Sequence, residues 1–126
     1  MNQTAHQESL ILLLKTAVLP HQHALQAWDS WKEKFGAQCK SAVETRFAPV
    51  IARRFAEWGF RDGWHSLLQD AARQAQLRNQ LMFSTAVPII SRLQHLAISC
   101  LLLKGWGLIA AGIAETGYRY LGDIDI

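Results

Sequence analysis

The chain has 126 residues, of which 50% are hydrophobic and 18% are charged. This length and balance predict a globular chain of one domain or less and exclude a disordered, low-hydrophobicity protein. The formal net charge of +3 is mild, and no block of lysines and arginines indicates a nucleic-acid surface.

The cysteines and the N-terminal apolar run indicate where the protein resides. Cys39 and Cys100 are far apart, and their spacing fits neither a disulfide framework nor a zinc site, so we expect buried thiols in a reducing cytoplasm. Residues 9–19 are interrupted by Lys15 and are too short to span a bilayer, and Glu8 precedes them in place of a positive region. A cytoplasmic protein with no membrane partner is predicted.

The first third of the chain has the apolar spacing of two helices. One helix is predicted from Glu8 to Leu19, after a polar start that we expect to be frayed, and Pro20 ends it. The second ends near Gly36, with large side chains repeating at helical spacing: Leu25, Trp28, Trp31 and Phe35. Tryptophans at this spacing predict a core, because no basic residues are interleaved with them on the same helix face, as a base-stacking surface would need.

The middle of the chain predicts further helices. A weak helical pattern spans Cys39 to Phe47, and a clearer helix begins at Pro49 and closes at Gly59. After a turn over residues 60–64, Ser66 is predicted to cap a long helix that starts at Leu67 and continues to about residue 96. We expect Pro88 to kink or split this helix.

Histidines and arginines in these helices are weaker site candidates. His21 and His23 diverge on a helix and are predicted to be exposed, while His65 and His95 are predicted to be surface or helix-end residues. Four arginines form a loose basic cluster: Arg46, Arg53, Arg54 and Arg61. We interpret the cluster as a solvated helix face, with contact to substrate phosphates as the alternative.

The last quarter of the chain has the pattern of a strand, a helix and a second strand. Ile98 to Leu103 reads as a buried strand, Gly105 to Ala114 as a tightly packed helix, and Leu121 to Ile126 as a second strand after a turn at Gly117. These elements predict a parallel, right-handed β-α-β unit. We therefore expect an α+β fold, with a helical region at residues 1–97 and the unit at residues 98–126.

Two carboxylates stand out in the second predicted strand. Asp123 and Asp125 are two residues apart, so on a strand they share one face and repel each other unless a cation lies between them. Such hard oxygen ligands suit Mg²⁺ or Mn²⁺, whereas the alternative is a solvated pair at a strand end. Lys104 and Gly105 precede the predicted helix, where free backbone N–H groups can face a phosphate.

These residues resemble the polymerase-beta-like nucleotidyltransferase superfamily, and most closely its uncharacterised "nucleotidyltransferase family protein" branch. The branch has an LLKG-x-x-L motif, a helix, a turn with arginine and a GDID motif. The resemblance covers residues 47–126, loosely before 98 and specifically after it. Trp106 stands where the superfamily usually has serine. The matching residues are Leu102, Leu103, Lys104, Gly105, Leu108, Arg119, Gly122, Asp123, Ile124 and Asp125.

The resemblance implies a Mg²⁺-dependent or Mn²⁺-dependent transfer of a nucleotidyl group from a nucleoside triphosphate to an unknown acceptor. Asp123 and Asp125 would be the catalytic metal ligands, and Lys104 and Gly105 would contact phosphates. Arg119 would either clamp a phosphate or pair with Asp123.

Family members continue with further strands, so we expect a truncated domain that is inactive alone. Its exposed strand edge would favour self-association or a partner chain. The alternative function is a non-catalytic helical interaction module formed by residues 8–97.

Overall fold

A computed structural model of the chain describes residues 2–37, 46–103 and 106–107. Four helices lie within these ranges: α1 Gln3–Val18, α2 His21–Phe35, α3 Ala48–Trp58 and α4 His65–His95. None of the described residues forms a strand. The predicted α+β fold class is therefore wrong for the described chain, which is all-helical.

The predicted strand Ile98–Leu103 has no regular structure. The chain leaves α4 through Ala97, whose φ of 61° turns it sharply, and Leu101 is then 71% exposed. An apolar run forms a strand only where a neighbouring strand can accept its backbone hydrogen bonds, and no such neighbour lies among the described residues. The other parts of the predicted unit, most of residues 105–114 and all of Leu121–Ile126, lie outside the described residues.

Helix α1 begins earlier than the sequence indicates. The side chain of Asn2 accepts a hydrogen bond from the backbone N–H of Ala5 at 2.8 Å, which satisfies one of the free donors at the helix start. Residues 3–7 are thus helical, and the predicted start at Glu8 after a frayed segment is wrong. The predicted end is confirmed, because Val18 is the last helical residue and Pro20 follows the C-cap.

Helices α1 and α2 pack together across a two-residue connection, and α2 supplies the centre of the core. Trp28 and Trp31 are fully buried and stacked, with ring centroids 5.2 Å apart. Phe55 of α3 and Trp64 approach the Trp28 ring edge-on at 5.4 and 5.9 Å. The prediction that these tryptophans are core residues is confirmed.

Helix α3 has the limits that the sequence predicts. Pro49 lies in its first turn, and Gly59 closes it in the left-handed conformation with a φ of 65°. The earlier predicted helix over Cys39–Phe47 lies mostly in residues 38–45, outside the described ranges.

Helix α4 starts two residues earlier than predicted and is not divided. Its N-cap is Trp64, and Ser66 is exposed and makes no capping hydrogen bond, so the predicted capping role of Ser66 is wrong. The side chain of Asp62 instead accepts from the backbone N–H of Trp64 at 2.9 Å. Pro88 lies inside a helix that continues to His95, so the proline does not split it.

A buried hydrogen bond joins α1 to the centre of α2. The indole Nε1 of Trp31 donates to the hydroxyl of Ser9 at 2.9 Å, and Ser9 is only 1% exposed. Trp31 is fully buried, so without this acceptor its N–H would lose water and gain no partner.

Substituting Ser9→Ala should lower the free energy of unfolding by about 1–3 kcal/mol, because the Trp31 N–H is left buried and unpaired. The matched control is Ser66→Ala, which removes an exposed hydroxyl that caps nothing and should change stability by less than about 0.5 kcal/mol. Urea titration followed by circular dichroism measures both. Equal stability of the two variants would contradict the assigned role of Ser9.

Candidate functional site

The residues predicted to bind metal and phosphate are not within the described ranges. Lys104, Gly105, Arg119, Asp123 and Asp125 all lie outside them. Their predicted roles therefore stay predictions.

The residues immediately after Gly105 are described and lie against α4. Trp106 is only 2% exposed, and its ring stacks on Phe83 with centroids 5.6 Å apart and an interplanar angle of 13°. Gly107 donates its backbone N–H to the Leu103 carbonyl at 3.3 Å. A Cβ on Gly107 would lie 2.6 Å from the Leu102 carbonyl oxygen, so this close turn requires glycine. Trp106 thus lies against the middle of α4.

Asp62 accepts three hydrogen bonds from its surroundings. Its Oδ2 accepts from the Trp28 indole at 2.8 Å and from the Lys32 ammonium at 2.9 Å, while Oδ1 accepts from the Trp64 backbone. Lys32 also pairs with Asp29 at 3.0 Å. Through its hydrogen bonds to Trp28 and Lys32, Asp62 connects α2 to the turn before α4. We therefore assign it a structural role. Sequence analysis did not single it out, although an Asp-Gly turn just before a helix is a signal for such a contact.

The surroundings of Asp62 shift its pKa. Partial burial alone would raise that pKa, but the hydrogen bonds from Trp28, Lys32 and Trp64, with the positive charge of Lys32, outweigh burial and lower it. A carboxyl whose pKa is lower in the folded state stabilises the fold above its unfolded pKa of about 3.9. This contribution is lost as the pH falls through the folded pKa.

We expect the stability difference between wild type and Asp62→Asn to be present at neutral pH and to shrink as the pH falls below about 4. The matched control is Asp70→Asn, which alters a carboxylate that is 66% exposed and lies 3.8 Å from Arg73. The measurement is denaturant unfolding across a pH series. A difference for Asp62→Asn that stays constant from pH 7 to pH 2 would contradict the charged network.

The predicted basic cluster is not one surface. Arg54 is half-buried, donates to the backbone carbonyl of Thr16 at 2.8 Å and to that of Leu19, and lies over the Trp58 ring at 4.4 Å. A guanidinium in this position satisfies carbonyls at the end of α1, where a positive charge is favourable. The prediction of a solvated face is therefore wrong for Arg54. The other three arginines are exposed, as predicted: Arg46, Arg53 and Arg61.

The histidines occupy the positions that the sequence indicates. His21 is exposed and stacks on Trp58 with ring centroids 4.5 Å apart. His65 and His95 are the first and last residues of α4. Within residues 2–37, 46–103 and 106–107, no three histidine, cysteine, aspartate or glutamate side chains are grouped closely enough to hold a metal ion.

One surface cleft lies beside the first turns of α4. It has a volume of about 420 Å³ and is lined by Leu67, Asp70, Ala71 and Gln74. Asp70 is the single titratable residue among these four described lining residues.

No helix of the described ranges combines the length and the hydrophobicity needed to cross a membrane. No protein-family model, curated protein or solved structure significantly matches the chain. The resemblance to nucleotidyltransferases therefore rests on the sequence motif.

Proposed function

We propose that this chain carries the metal-binding and phosphate-binding motif of a nucleotidyltransferase, which transfers a nucleotidyl group from a nucleoside triphosphate to an acceptor. One observation carries the proposal. Asp123 and Asp125 follow Lys104-Gly105 at the interval typical of the resembling family, 18 residues from Gly105 to Asp123 (123 − 105).

The donor set suits a hard divalent cation. Asp123 and Asp125 would hold Mg²⁺ or Mn²⁺, because carboxylate oxygens are the ligands that these ions prefer. Residues two apart point to the same side of any extended segment, so this pairing does not require the β-α-β unit. When bound, the metal would supply charge neutralisation at the triphosphate and orientation of the α-phosphorus for in-line attack.

The basic residues of the motif have supporting roles in this proposal. Lys104 would neutralise phosphate charge, and the glycine at position 105 would let backbone N–H groups approach a phosphate closely. Arg119 would either clamp a phosphate or pair with Asp123, because a guanidinium binds phosphate and carboxylate oxygens alike.

A second candidate function is a helical interaction module, which exposed apolar side chains support. Ile11, Leu14 and Val18 are 52%, 50% and 64% exposed, and their spacing places them on one face of α1. Leu77 and Leu81, one turn apart on α4, are 59% and 70% exposed. Grouped apolar residues on a surface are typical of protein interaction sites.

The test compares Mn²⁺ binding by wild type and the double variant Asp123→Asn/Asp125→Asn, with and without ATP. Asparagine keeps the size of each side chain and removes the charge, so the affinity for Mn²⁺ should fall at least about tenfold. Asp70→Asn is the control, because it removes one carboxylate elsewhere and should leave binding unchanged. Electron paramagnetic resonance of free Mn²⁺ gives the binding curves.

Equal Mn²⁺ binding by wild type and the double variant would rule out the site and leave the interaction module as the better candidate. Unchanged circular dichroism of the double variant establishes that a loss of binding does not come from unfolding.

A further inference from the structure

Helix α1 has a second side that does not belong to the core. Its buried residues lie on the side that packs into the helical body: Ser9, Leu13 and Thr16. Ile11 is two residues from Ser9 and two from Leu13, and each residue turns an α-helix by about 100°, so Ile11 lies on the opposite side. Ile11, Leu14 and Val18 form an apolar strip there, which we call the α1 strip, and they are 52%, 50% and 64% exposed.

The α1 strip has the spacing of a helix that pairs with another helix. Its residues recur at intervals of 3 and 4 (14 − 11 and 18 − 14), which are the intervals of the a and d positions in a coiled coil. Glu8 and Lys15 are both exposed, and because they are 7 residues apart they flank the strip along the same edge. This edge therefore carries a negative charge and, two turns further along, a positive charge.

We propose that the α1 strip is the contact between two copies of this chain, with their α1 helices antiparallel around a two-fold axis. An axis near residues 12–13 exchanges the ends of the helices, so it places Ile11 of each copy opposite Leu14 of the other. Positions 8 and 15 and positions 11 and 14 are centred within one residue of each other. Glu8 of each copy therefore lies beside Lys15 of the other, and opposite charges meet on both sides of the axis.

The charges select both the orientation and the partner. In a parallel pair, the residues of the second copy beside Glu8 and Lys15 would be uncharged, namely Gln3 and Leu10, so no ion pair would form. The antiparallel pair lets one surface complement itself, which is the requirement for a two-fold contact between identical chains. Glu8 also contacts Lys34 of its own chain, and its two carboxylate oxygens can accept from a second ammonium group.

This inference develops the helical interaction module, the second candidate function, and rests on it rather than on the metal-binding motif. The contact is smaller than the roughly 800 Å² per partner that a standard stable interface buries, because each copy contributes one face of a 16-residue helix. Small contacts of this kind are typical of weak, reversible association. The dimer should therefore form in the micromolar range and dissociate on dilution.

Analytical ultracentrifugation of the full chain over a micromolar concentration series, with its cysteines kept reduced, tests the contact. Wild type should change from monomer to dimer within the series. Leu14→Glu places a charge at the centre of the contact and should weaken the dimer at least about tenfold. The matched control is Leu81→Glu, which makes the same substitution at a side chain that is 70% exposed on α4 and should dimerise like wild type.

Two charge variants test the antiparallel arrangement. Glu8→Lys and Lys15→Glu each bring like charges together on both sides of the axis, so each variant alone should dimerise at least about tenfold more weakly than wild type. An equimolar mixture of the two variants should dimerise like wild type, because opposite charges meet again in the mixed dimer. Unchanged circular dichroism establishes that the variants are folded.

Three results would overturn the inference. A wild-type chain that stays monomeric throughout the series would show that a second copy does not cover the α1 strip, and it would leave the interaction module to a different partner chain. Equal dimerisation of Leu14→Glu and Leu81→Glu would place the contact elsewhere. A mixture of the charge variants that associates no more tightly than either variant alone would exclude the antiparallel pairing. Mn²⁺ binding enters none of these readouts, so this inference and the proposed metal site can fail independently.

Discussion

Two buried indole rings on α2 determine how the other parts of the helical body pack against that helix. Trp28 and Trp31 bring large apolar rings into the core, but each also brings an N–H group that must find an acceptor away from water. Ser9 of α1 accepts the hydrogen bond from the Trp31 indole, and Asp62 in the turn before α4 accepts that from the Trp28 indole. These two rings, which are among the largest fully buried side chains, thus fix which part of α1 and which turn can lie against α2. Hydrophobic burial drives the association, and the two hydrogen bonds select one arrangement.

Much of the helical body could be predicted from local sequence signals. The spacing of the tryptophans predicted the buried side of α2, and Pro49 with Gly59 predicted both ends of α3. These signals succeed because periodicity, fixed backbone angles and the left-handed freedom of glycine act within a few residues. Arg54 could not be predicted in this way, since its acceptors belong to residues 16 and 19 of another helix, and only the folded chain brings them together.

The apolar run at residues 98–103 shows where the sequence was misleading. Six apolar or small residues satisfy the composition of a buried strand, but the same residues suit any segment that lies on an apolar surface, and periodicity cannot separate the two. A strand needs a partner, and the partner depends on the whole fold. For the candidate site, the sequence offers two carboxylates that suit a divalent cation, Asp123 and Asp125, and both lie outside the described residues.

Specific acceptors hold the indole N–H groups of Trp28 and Trp31 inside the helical body. The decisive measurement is hydrogen exchange of the indole protons, followed by NMR, with the half-buried Trp58 as an internal comparison. We expect the Trp28 and Trp31 protons to exchange only through global unfolding, with a free energy equal to that from denaturant titration. Exchange of either proton as fast as that of Trp58 would contradict it.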